Sequence, residues 1–319
     1  MPMAELSIIF VNWNSTDYLR ESLRSVYANT HNLPFEIIVV DNASPDGRAE
    51  LVKLEFPEIN LIKSAENLGF AMANNLGVQH SSGNFILFLN PDTRVIGPAI
   101  TTLLEHLKSL PDAGIVGCSL LTSDLALDTC SVQRFPTILN QTLSWEWLRV
   151  RLPWLRMWGI AHLFSRESGV SEVEMVSGAC LMIKRQVLEK VGLFSSEYFM
   201  YAEDLDLCYK VRQLGFKTYY VKAATVVHYG GGSSKQKDAR QWATIMQKKA
   251  VLQFLRKTRG PVYSLIYKLA MGAAAACRLL VITLLLPIAL VIRRQQLFYL
   301  AFSKWIAILR WAAGLDQPA

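Results

Sequence analysis

Residues 86–93 read "ILFLNPDT". Four apolar side chains run without a break and stop at Asn90-Pro91-Asp92. An unbroken apolar run of this length is the mark of a strand covered on both faces, as in a parallel sheet. Proline and asparagine make a turn, but a turn has no need of the aspartate. The same pattern recurs upstream. Leu6–Asn12 ("LSIIFVN") and Phe35–Val40 are apolar runs that end at Asn12 and at Asp41-Asn42, and Ile59–Lys63 is a weaker third. Phe85–Leu89 is then the fourth strand and Ile115–Leu120 a fifth.

Helical spacing lies between these runs. Ser15–Asn29 places Leu19, Leu23, Val26 and Tyr27 on one face, with Ser15 as its cap. Leu68–Gln79 reads as a helix entered from Asn67. Alternating strand and helix give an α/β sheet of parallel type. "VNWNST" follows the first strand in place of GxGxxG, which argues against a dinucleotide site. Ligands of open α/β sheets sit at the carboxyl ends of the strands. Asn12, Asp41-Asn42 and Asn90-Pro91-Asp92 all leave strand ends on that edge, more polar groups than three turns require.

Further along, Glu174–Lys184 ("EMVSGACLMIK") is strand-like with Gly178 at its middle, where glycine marks close approach of a ligand or backbone. "YFMYAEDLDLCYKVRQLGFK" (198–217) gives a helix from about Ala202, closed by Gly215. Glu203, Asp204 and Asp206 fall in its first turn. Carboxylates there suit the helix dipole, and one held in a crevice is also what a general base for a hydroxyl requires. Thr225–Tyr229 is a short strand carrying His228. The Gly230–Ser234 run after it is a place for backbone N–H groups to cradle phosphate. His and Asp together suit a divalent ion completed by substrate phosphates.

Net charge is +7, but residues 1–234 carry 19 Lys and Arg against 24 Asp and Glu, while residues 235–319 carry 14 against two, Asp238 and Asp316. Basic residues flanking apolar runs suit an anionic membrane face and not nucleic acid. Lys235–Lys257 reads as a long polar helix. Leu269–Ile292 is almost wholly apolar but for Arg278, and 297–311 is amphipathic. With Arg256, Lys257 and Arg259 before the apolar stretch and Arg293 and Arg294 after it, a re-entrant or in-plane helical pair is expected, both basic clusters on the cytoplasmic side. The Trp- and Arg-rich segment 139–168 reads as a lid packed on the core or as an interfacial segment. Five Cys without a CxxC pair are expected to be free thiols in a reducing compartment. "MPMAELSIIFVN" shows no signal-peptide pattern.

Taken in order, "SIIFVNWN", "EIIVVDNAS", "ENLGFAMANNLGV", "GNFILFLNPDT", "VSGACLMIKR", "YFMYAEDLDLCYKVRQLGFK" and "VVHYGGGSS" resemble the inverting, GT-A-fold glycosyltransferases of family 2. The likeness is nearest to the rhamnosyltransferase-like branch that builds bacterial cell-surface polysaccharide. It covers about residues 5–235. It implies a mostly parallel α/β sheet flanked by helices, with a catalytic domain over 1–235. Residues 139–168 would be an acceptor-side or interfacial insertion, 236–260 a polar helix or linker, and 261–319 a membrane-associated helical tail at the cytoplasmic face of the plasma membrane.

It also implies roles. Asp41, with Asn42 and Ser44, is similar to the group that contacts the nucleoside, and Asn12, Asn67, Gly69, Asn74, Asn90 and Gly178 would line the nucleotide-sugar. Asn90-Pro91-Asp92 stands in place of the DxD metal motif, with Asn90 where many members carry Asp. Asp92 and His228 would hold Mg²⁺ or Mn²⁺. Asp204 is similar to the catalytic base, beside Glu203. The implied donor is a nucleotide-diphospho-sugar, dTDP-L-rhamnose first with UDP-linked sugars still open, and the implied acceptor a polyprenyl-linked glycan. A polyprenyl-phosphate glycosyltransferase using a UDP- or GDP-sugar is the alternative within the class. A sugar nucleotidyltransferase would want a basic Gly-rich loop where "NWNST" stands, and a non-catalytic carbohydrate-binding module has no use for Glu203-Asp204.

Overall fold

The computed structural model describes residues 4–164, 169–230, 237–291 and 295–315. The chain divides into two compact units, one of residues 1–135 and 150–233, the other of 136–149 and 234–319.

In chain order the strands are β1 (Leu6–Asn12), β2 (Phe35–Asp41), β3 (Asn60–Lys63), β4 (Phe85–Leu89), β5 (Thr93–Ile96), β6 (Ala113–Leu121), β7 (Val132–Gln133), β8 (Val170–Val173), β9 (Met175–Val176), β10 (Cys180–Lys184) and β11 (Lys217–His228). The helices are α1 (Thr16–Asn29), α2 (Ala49–Glu55), α3 (Gly69–Gln79), α4 (Ala99–Ser109), α5 (Ile138–Thr142), α6 (Glu146–Arg151), α7 (Ala161–Phe164), α8 (Arg185–Val191), α9 (Glu203–Gln213), α10 (Lys237–Val291) and α11 (Gln295–Ala312).

In the first unit the main sheet runs β3-β2-β1-β4-β10-β6-β11-β5, with β8 also on β11. Its first four strands are parallel. Beyond β4 the sheet is mixed: β10 enters antiparallel to both β4 and β6, and β5 is antiparallel to β11. β1 is buried along its whole length, as expected where helices cover both faces. On one face, Leu19, Leu23 and Val26 of α1 and Ile100, Leu103 and Leu107 of α4 pack with Ile8, Phe10, Leu87 and Met182. On the other, Phe88 meets Phe194 edge-on at 4.7 Å.

Three local expectations need correction. Ser15 precedes α1 but does not cap it by its side chain; its Oγ donates to Trp13 O at 3.1 Å. Glu174–Lys184 is not one strand. It breaks between β9 and β10, and Gly178 lies in the break, where Asp204 presses against it. The strand expected over Thr225–Tyr229 begins eight residues earlier, at Lys217. β11 bulges between Val221 and Thr225, so its first part pairs with β8 and its last with β5. Short polar-interrupted strands of this kind lack the apolar run that betrays β1 and β4.

The second unit is helical. α10 is interrupted at Gly260, whose φ of 87° and ψ of 170° no helix admits, followed by Pro261. Tyr267 of its second limb packs edge-on against Trp311 of α11. The Nζ of Lys248, on the first limb, reaches Gln141 Oε1 of α5 at 3.3 Å. The described stretch Gln241–Leu286 contains a window long and apolar enough to cross a membrane.

Candidate active site

The polar ends foreseen at one sheet edge do meet there. β1 and β2 run in register, so Asn12 faces Asp41. Asn12 Nδ2 donates to Asp41 Oδ1 at 3.0 Å and to Ser44 Oγ at 3.1 Å. Asn12 is fully buried, and its Oδ1 has no partner. A buried acceptor left unmet costs about 1–3 kcal/mol, which a ligand N–H would recover. Next to it, Asn42 Nδ2 donates to Asn67 Oδ1 at 2.9 Å, and Asn42 Oδ1 accepts from Leu68 N. These bonds fix the turn that enters α3.

Gly69 opens α3 with φ of 75°, and a Cβ there would sit 2.3 Å from Phe199 O. Only glycine fits. Phe70 N donates to that same Phe199 O at 2.8 Å, which ties the loop before α9 to the start of α3. Asn74 is placed apart from these groups. It is buried inside α3 and donates to Phe70 O.

The β4 tip carries the next group. Asn90 N donates to Ala179 O at 3.0 Å, so the Asn90-Pro91-Asp92 turn is tied to the break before β10. β11 delivers His228 opposite Thr93, with His228 Nε2 at 3.3 Å from Asp92 Oδ1 and 3.5 Å from Asn90 Nδ2. Burial opposes protonation of His228, but the hydrogen bond and charge of Asp92 outweigh it and raise its pKa. Asn90 Oδ1 is buried without a partner. Residues 231–234, where a phosphate cradle was expected, lie outside the described residues.

α9 brings the carboxylates. Tyr201 and Ala202, just before it, both take left-handed backbone, with φ of 70° and 63°. Each such residue costs about 1–2 kcal/mol, and strain of this kind persists where a site requires it. It sets the first turn so that Asp204 Oδ2 accepts from Gly178 N at 2.9 Å and Oδ1 from Leu205 N at 2.8 Å. A Cβ on Gly178 would lie 3.2 Å from that of Asp204, so the glycine gives the carboxylate access to the N–H.

The two acidic neighbours differ. Glu203 is buried, its Oε2 lacks a partner, and burial with the charge of Asp204 pushes it up to about 8. Burial also raises Asp204, but the N–H groups of Gly178 and Leu205 pull against it. Near neutrality Glu203 keeps its proton, while the two N–H donors favour the ionised form of Asp204. Environments that push two carboxyls apart assign acid and base roles. Asp206 belongs to neither. It is fully buried and accepts from Ser195 Oγ at 2.6 Å, with Lys210 Nζ at 3.8 Å. Its place in the expected carboxylate cluster is therefore structural.

The left-handed backbone of Tyr201 and Ala202 was not foreseen, because positive φ at a non-glycine leaves no mark in composition.

The description "Glycosyl transferase family 2" matches residues 7–192, over half of the chain, and stops short of Glu203, Asp204 and His228. The N-acetylglucosaminyl-diphospho-decaprenol L-rhamnosyltransferase of Mycobacterium tuberculosis is 26% identical over 253 residues, covering 75% of this chain and 80% of its own. Rhamnosyltransferase WbbL of Escherichia coli K12 is 26% identical over 232 residues, 70% of this chain and 82% of its own. In three dimensions the fold matches a mannosyltransferase, PcManGT from Pyrobaculum calidifontis, in complex with GDP-Man and Mn²⁺. The TM-score is 0.60 at 16% identity, over 98% of this chain and 87% of the other. That likeness gives the fold, the GT-A arrangement of a mixed sheet flanked by helices.

Proposed function

The chain belongs to glycosyltransferase family 2, and from that premise we propose that it moves L-rhamnose from dTDP-L-rhamnose to a hydroxyl of a lipid-linked glycan, with inversion at the anomeric carbon. The observation that carries the mechanism is the split pair on α9: a protonated, sealed Glu203 beside an Asp204 whose two oxygens each accept a backbone N–H, which favours its ionised form. Asp204 takes the proton of the acceptor hydroxyl. The hydroxyl oxygen attacks the anomeric carbon on the face opposite the nucleoside diphosphate, and the carbon–oxygen bond to the diphosphate breaks in the same displacement. Asp41 and the unmet Asn12 Oδ1 suit the N–H of a pyrimidine base, with Asn42, Ser44, Asn67 and Gly69 shaping that wall.

Asp92 and His228, with the orphaned Asn90 Oδ1, form an oxygen- and nitrogen-rich set suited to Mg²⁺ or Mn²⁺. Among the described residues no three His, Cys, Asp or Glu side chains gather, which suits an ion that takes its remaining ligands from substrate phosphates. When bound, the ion supplies positive charge against the leaving diphosphate. The second unit exposes Leu265, Leu269, Leu280, Leu284 and Leu285, and apolar surface on this scale suits a bilayer. We place it in the cytoplasmic face of the membrane, as an in-plane or re-entrant helical element.

A thermal-shift screen of nucleoside diphosphates and their sugars, with and without Mn²⁺, tests the donor. Thymidine diphosphate and dTDP-L-rhamnose should raise the melting temperature most, and more with the ion, because ligands of the native state stabilise it by mass action. Equal response to adenosine or guanosine diphosphates would contradict the donor assignment.

A further inference from the structure

Arg278 interrupts the most apolar stretch of the chain, and the second unit is built around it. It is only 7% exposed. Its guanidinium lies 4.2 Å from the ring centre of Trp305 on α11 and 5.3 Å from that of Trp145. Nη2 donates to Thr142 O at 2.7 Å, yet Nε is buried with no partner. Lys248, from the first limb of α10, lies near enough to Arg278 and Lys304 for their charges to repel its own. Lys248 and Arg278 meet neutral oxygens, π faces and other cations, and among the described residues no carboxylate acts on either. The unit has only Glu146, Asp238 and Asp316 as acids. Holding Arg278 out of water beside other cations, with no carboxylate acting on it, is costly, so an anion against it would complete the cluster.

The same pair of helices offers a second feature. A cavity of about 290 Å³ is lined by Ile282, Thr283 and Leu286 of α10 and by Phe298, Tyr299 and Phe302 of α11. Ile282 is one turn beyond Arg278, and Phe302 lies three residues before Trp305. A cation cluster and an apolar cleft about 6 Å apart along one helix have the form of a site for a head and a chain.

The geometry points to a binding site for the diphosphate of a polyprenyl-linked molecule, with the diphosphate against Arg278 Nε, Lys248 and Lys304, and the first isoprene units in the cleft. Two phosphate charges match three cations better than the single charge of a bilayer phosphodiester, and one cleft of this size takes one chain. The choice of a polyprenyl lipid rests on the reading above that the acceptor is lipid-linked.

The test uses the full chain in phosphatidylcholine nanodiscs, with geranylgeranyl diphosphate as probe and tryptophan fluorescence as readout, since Trp145 and Trp305 flank Arg278. Saturable quenching is expected, with Arg278→Gln and Lys248→Gln each weakening it about tenfold or more, the usual worth of a charge-assisted contact. Affinity for thymidine diphosphate should not change in either variant. Lys248 is half-buried, so Lys248→Gln keeps the test decisive if Arg278→Gln does not fold. Wild-type binding by Lys248→Gln and every folded variant would overturn the site, as would inorganic pyrophosphate or phosphatidylglycerol competing as well as the probe. Probe binding without any rhamnose transfer would refute the catalytic reading and leave this site standing. Transfer without probe binding would refute this site alone.

Discussion

Asp204 sits among backbone N–H donors, whereas Arg278 sits among aromatic faces with one nitrogen unmet. The first unit settles its buried charges from within. Glu203 stays protonated, Asp204 is hydrogen-bonded twice, and Asp206 has Ser195 and Lys210. Among the buried groups it leaves unmet, Asn12 Oδ1 and Asn90 Oδ1 lie at the strand ends on the sheet edge. The helical unit does the reverse: among the described residues no carboxylate acts on Lys248 or Arg278, and its leucines turn outward. A region finished by its own chain reads as machinery, and one left with uncompensated charge and exposed apolar surface reads as half of an interface.

The largest effect should follow from breaking the settled side. Asp204→Asn keeps the shape and can keep one of the two N–H contacts, but removes the proton acceptor. Turnover should fall by about 10²–10⁴ with donor affinity little changed. A larger loss in Glu203→Gln would exchange the two roles. Asp92→Ala should cost about 10²–10³ in turnover and, unlike the first variant, weaken nucleoside-diphosphate binding and its response to Mn²⁺. Binding measured by calorimetry with and without the ion checks this.

A smaller effect tests the other side. Leu284→Lys together with Leu285→Lys places charge on two exposed leucines. If they enter a bilayer, binding to neutral phosphatidylcholine vesicles should drop by about tenfold or more, given ~1.5–3 kcal/mol per buried leucine. Unchanged sedimentation with vesicles would place the membrane face elsewhere.

Smallest of the four is a shift in pH-dependent stability. Folding raises Glu203 to about 8. The stability contributed by such a group is fully present below the ordinary glutamate range and is lost as pH rises through about 8. Glu203→Gln has no such loss, so its melting temperature relative to wild type should climb between about pH 5 and about pH 8.5. A constant difference would mean that Glu203 ionises as an ordinary surface carboxylate.

Much of the first unit is legible in the sequence because unbroken apolar runs end in polar residues. β1, β2 and β4 announce themselves in this way, and their tips meet as parallel strands require. β5, β8 and the first half of β11 were not legible, since their half-buried, polar-interrupted patterns carry no clear period. The carboxylates of α9 could be found by composition, but not told apart. Only the neighbours across the fold, Gly178 for Asp204 and Ser195 for Asp206, separate base from scaffold. In the tail, Arg278 stood out as a charge in an apolar run, while its approach to Lys248 depends on the break at Gly260 that separates their limbs.

One measurement bears most directly on in-line displacement at the sheet edge. The full chain is supplied with dTDP-L-rhamnose, Mn²⁺ and N-acetylglucosaminyl-diphospho-polyprenol, and the products are read by NMR. Release of thymidine diphosphate, with a new glycosidic bond of anomeric configuration opposite to that of the donor, is the predicted result. Retention of the donor's configuration, or release of pyrophosphate, would contradict it.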